Sequence, residues 1–228
     1  MKLLVLGGTR FVGRAVVAEA LDRGWQVSAI HRGRTGRLPD GVDARFADRC
    51  DPDALAAAVG DDSWDAVVDT WSGAPRIATL AASLLRGRAR RYGYVSTTSV
   101  YVWGRHHGEG SALVDGDPDA TDGDYAAIKR GSELGILAAF PNALIARPGL
   151  ILGPHEDIGR LPWWLRRIAA GGRVVAPGDP ARPLQYVDAR DLASWLLSGL
   201  ANGRSGPVDV ISPSGHATTA SLLQACID

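Results

Sequence analysis

The sequence predicts an α/β fold, a doubly wound parallel sheet with a small C-terminal lobe, and three observations carry that prediction. Short β-type runs alternate with helical patterns along most of the chain. A glycine-rich turn follows the first run at once, in MKLLVLGGTRFVG. Beyond Arg147 the texture changes: Pro and Gly are frequent, Trp163, Trp164 and Trp195 appear, and the elements shorten.

Taken in order, Lys2–Leu6 reads as a strand, Arg14–Arg23 carries Val16, Val17, Ala20 and Leu21 at helical spacing, and Gln26–Ile30 reads as a strand after Gly24. These make one βαβ unit. Asp51-Pro52 is an N-cap and first-turn pair for a helix through Val59, because an aspartate accepts from free N–H groups and proline needs no N–H there. Asp65–Asp69 is a buried strand, Pro75–Leu85 a helix, and Arg91–Ser96 a further strand. Tyr125–Phe140 is a long helix stopped by Pro141, and Ala143–Ala146 is the next strand. Parallel strands joined by helices place ligands at their carboxyl ends. Gly104–Gly123, rich in Gly, Asp and His, is the segment most suited to a mobile loop.

Composition narrows the function. At 46% hydrophobic and 22% charged residues, 228 positions suffice for one buried core. Lys and Arg number 25 and Asp and Glu number 25, so no global field gathers nucleic acid or an anionic membrane. No stretch approaches the length that spans a bilayer, and Cys50 and Cys226 have no metal or disulfide spacing. The expectation is a soluble cytoplasmic protein. His106-His107 lacks companion ligands at metal spacing, so no metal is expected. Trp163-Trp164 fits either a substrate wall or the core of the small lobe.

Gly7, Gly8 and Gly13 suit a pyrophosphate cradle, in which N–H groups at a helix start face the anion and missing Cβ atoms let it approach. Arg10 replaces the expected middle glycine and brings a guanidinium to the adenosine phosphates. At the end of the second strand, Ile30-His31-Arg32-Gly33-Arg34 holds no acid for a ribose 2′-OH. Arg10 and Arg32 are therefore expected to clamp a 2′-phosphate, which favours NADP over NAD; Arg32 also reads as a solvated loop charge.

Tyr125-Ala-Ala-Ile-Lys129 is the sharpest chemical signal, the more so because Lys2 and Lys129 are the only lysines. At i and i+4 the phenol and ammonium share a helix face. A tyrosine pKa near 10 is too high for proton exchange at neutral pH unless nearby positive charge favours the phenolate. Tyr125 is thus the expected general acid/base and Lys129 its cationic partner. Upstream, Ser96-Thr97-Thr98-Ser99 offers hydroxyls at a strand end, a composition also common in loops.

With these motifs the sequence resembles the extended short-chain dehydrogenase/reductase family, the NAD-dependent epimerases and dehydratases. Its glycine turn usually reads G-x-x-G-x-x-G, and Arg10 marks the GGTRF-type branch. The resemblance implies a Rossmann-type domain over residues 1–147 and a smaller substrate-facing lobe, interleaved with that core, over 148–228. It implies that Thr9, Phe11 and Val12 contact the dinucleotide with the three glycines, that Asp48 bonds the adenine amino group, and that Pro148 borders the nicotinamide. It places the catalytic hydroxyl on Thr97, three residues before the valine of Val100-Tyr101, with Ser96 beside the substrate. Counting back five from Val187 lands on Arg182, where sugar-nucleotide members hold the substrate diphosphate, and Arg160 is expected to assist. Gln185-Tyr-Val-Asp188 and Asp191-Leu-Ala193 extend the likeness from Met1 to about Asp191. Extended members usually continue past the point reached at Asp228, so the lobe is expected to be incomplete, by truncation or natural shortening. The expected activity is an NAD(P)-dependent oxidoreductase or epimerase acting on a secondary alcohol or ketone. A nucleotide sugar or related polar keto compound is the expected substrate, with a homodimer allowed and no nucleic-acid or membrane partner. The alternative is a nucleotide-bound binding protein without turnover, related to the chloroplast stem-loop RNA-binding proteins.

Overall fold

The structure is a computed structural model describing residues 1–104 and 108–228. The chain begins with β1 (Lys2–Leu6), α1 (Phe11–Asp22), β2 (Gln26–His31), β3 (Val42–Phe46), α2 (Pro52–Val59), β4 (Ala66–Asp69), α3 (Pro75–Leu85) and β5 (Tyr92–Val95). After a 3-10 turn at Thr98–Val100 come α4 (Tyr125–Ala139), β6 (Leu144–Pro148), β7 (Leu150–Leu152), α5 (Arg160–Ala169), β8 (Pro183–Leu184) and β9 (Tyr186–Asp188). α6 (Ala189–Ala201), β10 (Gly206–Val210), β11 (Ala217–Thr218) and α7 (Thr219–Ala225) complete it.

Seven of these strands form one sheet in the order β10-β6-β5-β4-β1-β2-β3, every pairing parallel. Strand order reverses between β1 and β4, so their carboxyl ends splay into the crevice where such folds bind nucleotides. This is the Rossmann-type doubly wound sheet that the sequence predicts. Alternation along each strand feeds two cores. Leu3 and Val5 of β1 join Val16, Val17 and Ala20 of α1 and Leu192, Leu196 and Leu197 of α6. Leu4 and Leu6 join Leu55 of α2, Ala78, Ala82 and Leu85 of α3, and Ile136 of α4. Each fully buried Leu or Val contributes roughly 1.5–3 kcal/mol.

The predicted boundaries hold closely. Asp51 caps α2 by accepting from Asp53 N and Ala54 N, with Pro52 opening the helix. α1 starts at Phe11, three residues before the apolar spacing becomes regular. Two sheet strands differ from the reading. β3, VDARF, is an exposed edge strand whose Asp43 and Arg45 pair at its surface, and β10, beginning with Gly-Pro, extends the sheet beyond β6. Residues 148–228 thus contribute α6 and β10 to the main layers, while β7 pairs with β9 and β8 with β11 in two small ribbons.

Candidate active site

The glycines of the β1–α1 turn are set by space. A Cβ on Gly13 would lie 1.9 Å from the Gly7 carbonyl oxygen, so only glycine lets α1 sit against the turn. Gly7 has φ +97°, and its Cβ would come within 2.9 Å of Thr70 Oγ1; a Cβ on Gly8 would come as close to Val17 Cγ2. Thr9 is nearly buried, with Oγ1 3.0 Å from Thr35 Oγ1. Phe11 and Val12 turn inward to the core. α1 has no side-chain cap and no acidic residue in its first turn, leaving its first N–H groups and helix dipole suited to an anion. The turn therefore fits a dinucleotide pyrophosphate.

Arg10 forms the N-cap residue of α1 in extended conformation. Its guanidinium pairs with Asp157, on the loop between β7 and α5. Arg10, expected to clamp a 2′-phosphate with Arg32, is engaged by a carboxylate that no spacing in the sequence announces. Arg32 is exposed after β2, its neighbour His31 accepting from Gly33 N through Nδ1. Asp48 Oδ1 accepts from Cys50 N at 3.1 Å. That main-chain bond holds its carboxyl below the ordinary range, with the charges of Arg32 and Arg34 adding to the effect. Asp48 and Arg32 thus share one electrostatic neighbourhood at the β2 and β3 ends.

Asp124 caps α4 by accepting from Ala126 N and Ala127 N, which starts the helix at Tyr125. Tyr125 is 52% exposed, whereas Lys129, one turn later, is only 3% exposed. Lys129 Nζ donates to Trp71 O at 2.6 Å, Val95 O at 2.8 Å and Tyr94 Oη at 3.2 Å. Burial pushes its pKa down to about 7, against the upward pull of Asp69 and Glu133. Thr97 follows β5 and caps the 3-10 turn, its Oγ1 accepting from Ser99 N at 3.1 Å. That turn packs on α4, which brings Thr97 and the Tyr125/Lys129 pair onto adjoining elements.

Ser96, expected beside the substrate, is 3% exposed. Its buried hydroxyl donates to Glu133 Oε1 at 2.7 Å, inside the protein. Glu133 also takes two bonds from Arg147, Nε at 2.9 Å and Nη2 at 2.7 Å, and one from Arg130 at 3.0 Å. Arg147 Nη1 donates to Tyr101 Oη, which donates to Asp209. This network locks α4 to the carboxyl ends of β5 and β6. Sequence reasoning missed Glu133, although its i+4 spacing from Lys129 places both on one helix face.

Pro148 closes β6 in register with Val210. Arg160 begins α5; its main-chain N–H and that of Leu161 donate to the buried Glu156 carboxylate at 2.6 and 3.1 Å, while its side chain is exposed. Arg182 is exposed on the turn before β8. No residue of α5 is buried, so Trp163 and Trp164, whose rings meet edge to face at 4.7 Å, line the surface of the lobe and not its core. His106 and His107 lie outside the described residues. Among the described residues, no group of three or more His, Cys, Asp or Glu is placed to hold a metal, and no helix is long and apolar enough to cross a membrane.

A parallel sheet with a glycine turn at its switch point and a Tyr/Lys pair on α4 defines a protein of the extended short-chain reductase class. The sequence profile of the NAD dependent epimerase/dehydratase family matches residues 3–211, and the chain belongs to that family. It is similar to chloroplast stem-loop binding protein of 41 kDa b from Arabidopsis thaliana, 26% identical over 99% of this chain and 62% of that protein. It is also similar to 2-alkyl-3-oxoalkanoate reductase of Stenotrophomonas maltophilia, 34% identical over 89% of this chain and 67% of that enzyme. The chain therefore spans about two thirds or less of the length of these relatives. Among solved structures, the Bordetella bronchiseptica enzyme WbmH in complex with NAD+ superposes with a TM-score of 0.82 at 18% identity, over 98% of this chain and 80% of that one.

Proposed function

We propose that this protein is a nicotinamide-dinucleotide-dependent oxidoreductase or epimerase acting on a secondary alcohol or ketone. The observation that carries the reading is an exposed phenol, Tyr125, one helical turn from the buried ammonium of Lys129, on a helix adjoining Thr97. When bound, the dinucleotide supplies or accepts a hydride. Tyr125 Oη exchanges the proton at the substrate oxygen, Thr97 Oγ1 positions that oxygen, and Lys129 is the cationic partner one helical turn from the phenol. Gly7, Gly8 and the first turn of α1 receive the pyrophosphate, Asp48 the adenine, and Pro148 borders the nicotinamide. Arg32 is the residue that directs the site toward NADP; NAD is the alternative. Residues 148–228 supply the substrate-facing lobe. There the exposed Arg182 and Arg160 suit the phosphates of a nucleotide sugar, because a guanidinium can make two charge-assisted bonds to one phosphate. A related polar keto compound is the other substrate of the same reading, and the similarity to an oxoalkanoate reductase favours it.

A second reading, a nucleotide-bound RNA-binding protein without turnover, is favoured by the similarity to the stem-loop binding protein along nearly the whole chain. Depletion of NADPH and NADH against a panel of carbonyl compounds, run beside a gel-shift assay with structured RNA, separates the two. Turnover without a shift supports the oxidoreductase. A shift without turnover on any carbonyl overturns it.

A further inference from the structure

Beneath Lys129 lies a second buried ionic group. Asp69, at the end of β4, is fully buried. Arg49, from the segment between β3 and α2, grips it with two bonds, Nη1 to Oδ1 at 2.7 Å and Nη2 to Oδ2 at 2.8 Å. Tyr92 Oη donates to Asp69 Oδ2 at 2.8 Å, and Trp71 N donates to Oδ1 at 2.9 Å. The Arg49 guanidinium also lies over the Trp71 ring, 4.7 Å from its centroid, while the indole N–H donates to Ala74 O at 2.9 Å. Trp71 is therefore held on three sides. Its carbonyl is the oxygen that receives both Lys129 Nζ and Tyr94 Oη, at 2.6 and 2.9 Å.

We propose that the Asp69–Arg49 pair is a positioning device for Lys129, fixing the Trp71 peptide whose carbonyl orients the ammonium and setting the field that the ammonium feels. A bidentate pair with its carboxylate fully buried and its guanidinium nearly so is costly to build unless its remaining bonds are satisfied. Here the remaining Asp69 bonds come from Tyr92 on β5 and from Trp71 N, on the loop whose carbonyl reaches Lys129, while Arg49 Nε has no partner among the described residues. The loop follows β4 directly, and Asp69 is the side chain that takes the Trp71 main-chain N–H, while the Trp71 indole donates to Ala74 O. The charged and titratable groups facing Lys129 are Asp69 from β4, Arg49 from the β3–α2 segment, Tyr94 from β5 and Glu133 from α4 itself. Asp69 and Glu133 favour the ammonium, and Arg49 opposes it.

The inference rests on the catalytic reading of Lys129, but its test reads that side chain directly and needs no substrate. With Lys2 and Lys129 the only lysines, 13Cε-lysine labelling gives two resonances, and Lys2→Arg identifies them. Titration of the Lys129 signal in the whole protein gives its midpoint. Asp69→Asn, which keeps the side-chain shape and an acceptor for Trp71 N, should lower that midpoint by about one pH unit. Arg49→Gln leaves Asp69 with the Tyr92 and Trp71 donors and should raise it, so the proposal stays testable if Asp69→Asn does not fold. A folded variant of either kind whose Lys129 midpoint equals the wild-type value overturns the proposal. A shifted midpoint in a protein that turns over no carbonyl compound would support the positioning device while rejecting the catalytic reading.

Discussion

Lys129 Nζ donates to the main-chain oxygen of Val95 at 2.8 Å, tying the middle of α4 to the last residue of β5. The bond joins the helix that carries Tyr125 to the strand end that carries Thr97. Lys129 is thus a structural tie as well as the proposed cationic partner of Tyr125, and the two roles separate by experiment.

Stability should depend on pH through Lys129. Its folded pKa, about 7, lies below the 10.5 of an unburied lysine. Between those values the unfolded chain binds more protons, so the cost of burying the ammonium is full below pH 7 and is relieved as pH rises. Urea denaturation should give a gain on the order of 2 kcal/mol from pH 7 to pH 9 that Lys129→Met does not share. Parallel stability curves for the two proteins would refute the burial cost.

Glu133→Ala removes the acceptor of Ser96, Arg130 and Arg147 together and strands a guanidinium that is almost fully buried. Breaking one partner of a buried pair costs about 3–5 kcal/mol. For a chain of this size the melting temperature should fall by roughly 10 °C. A melting curve like wild type would mean that the network does not hold α4 to the sheet.

These two networks also mark where sequence reasoning stopped. The central strands were legible because burial on both faces makes runs such as Leu3-Leu4-Val5-Leu6 and Ala66-Val67-Val68 continuously apolar. β3 was not, since Asp43 and Arg45 on an exposed edge look like loop charges. Tyr125 and Lys129 stood out because one helix sets their spacing. Asp69 meets Arg49, and Glu133 meets Arg147, only through sheet order and helix docking, which leave no mark on spacing. Ser96 and Thr97 look equivalent in sequence, yet successive residues of an extended segment face opposite ways, and Ser96 is the one turned to Glu133.

Cofactor choice should follow the arginines at the adenosine end. Arg32→Asp replaces a charge-assisted contact with repulsion and should reverse a preference for NADPH over NADH in fluorescence titrations. Asp157→Ala releases Arg10 from its ion pair. It should tighten NADPH binding several-fold with a smaller effect on NADH, because only the former carries the extra phosphate. Equal changes for both dinucleotides would place Arg10 away from that phosphate.

Gly13→Ala should abolish dinucleotide binding, since its Cβ would need the space held by the Gly7 carbonyl at 1.9 Å. Isothermal titration beside circular dichroism would distinguish loss of the site from loss of the fold. Binding at wild-type strength would mean that the turn relaxes without cost.

The central claim is that Tyr125 moves the proton, and the most direct measurement is the turnover of Tyr125→Phe on any carbonyl compound that wild type reduces. The phenol is 52% exposed at the start of α4, and among the described residues its hydroxyl makes no hydrogen bond that holds the fold. The account predicts an unchanged dinucleotide dissociation constant and a kcat lower by at least about 100-fold, the usual cost of losing a general acid/base. Wild-type kcat in the Tyr125→Phe protein would contradict it.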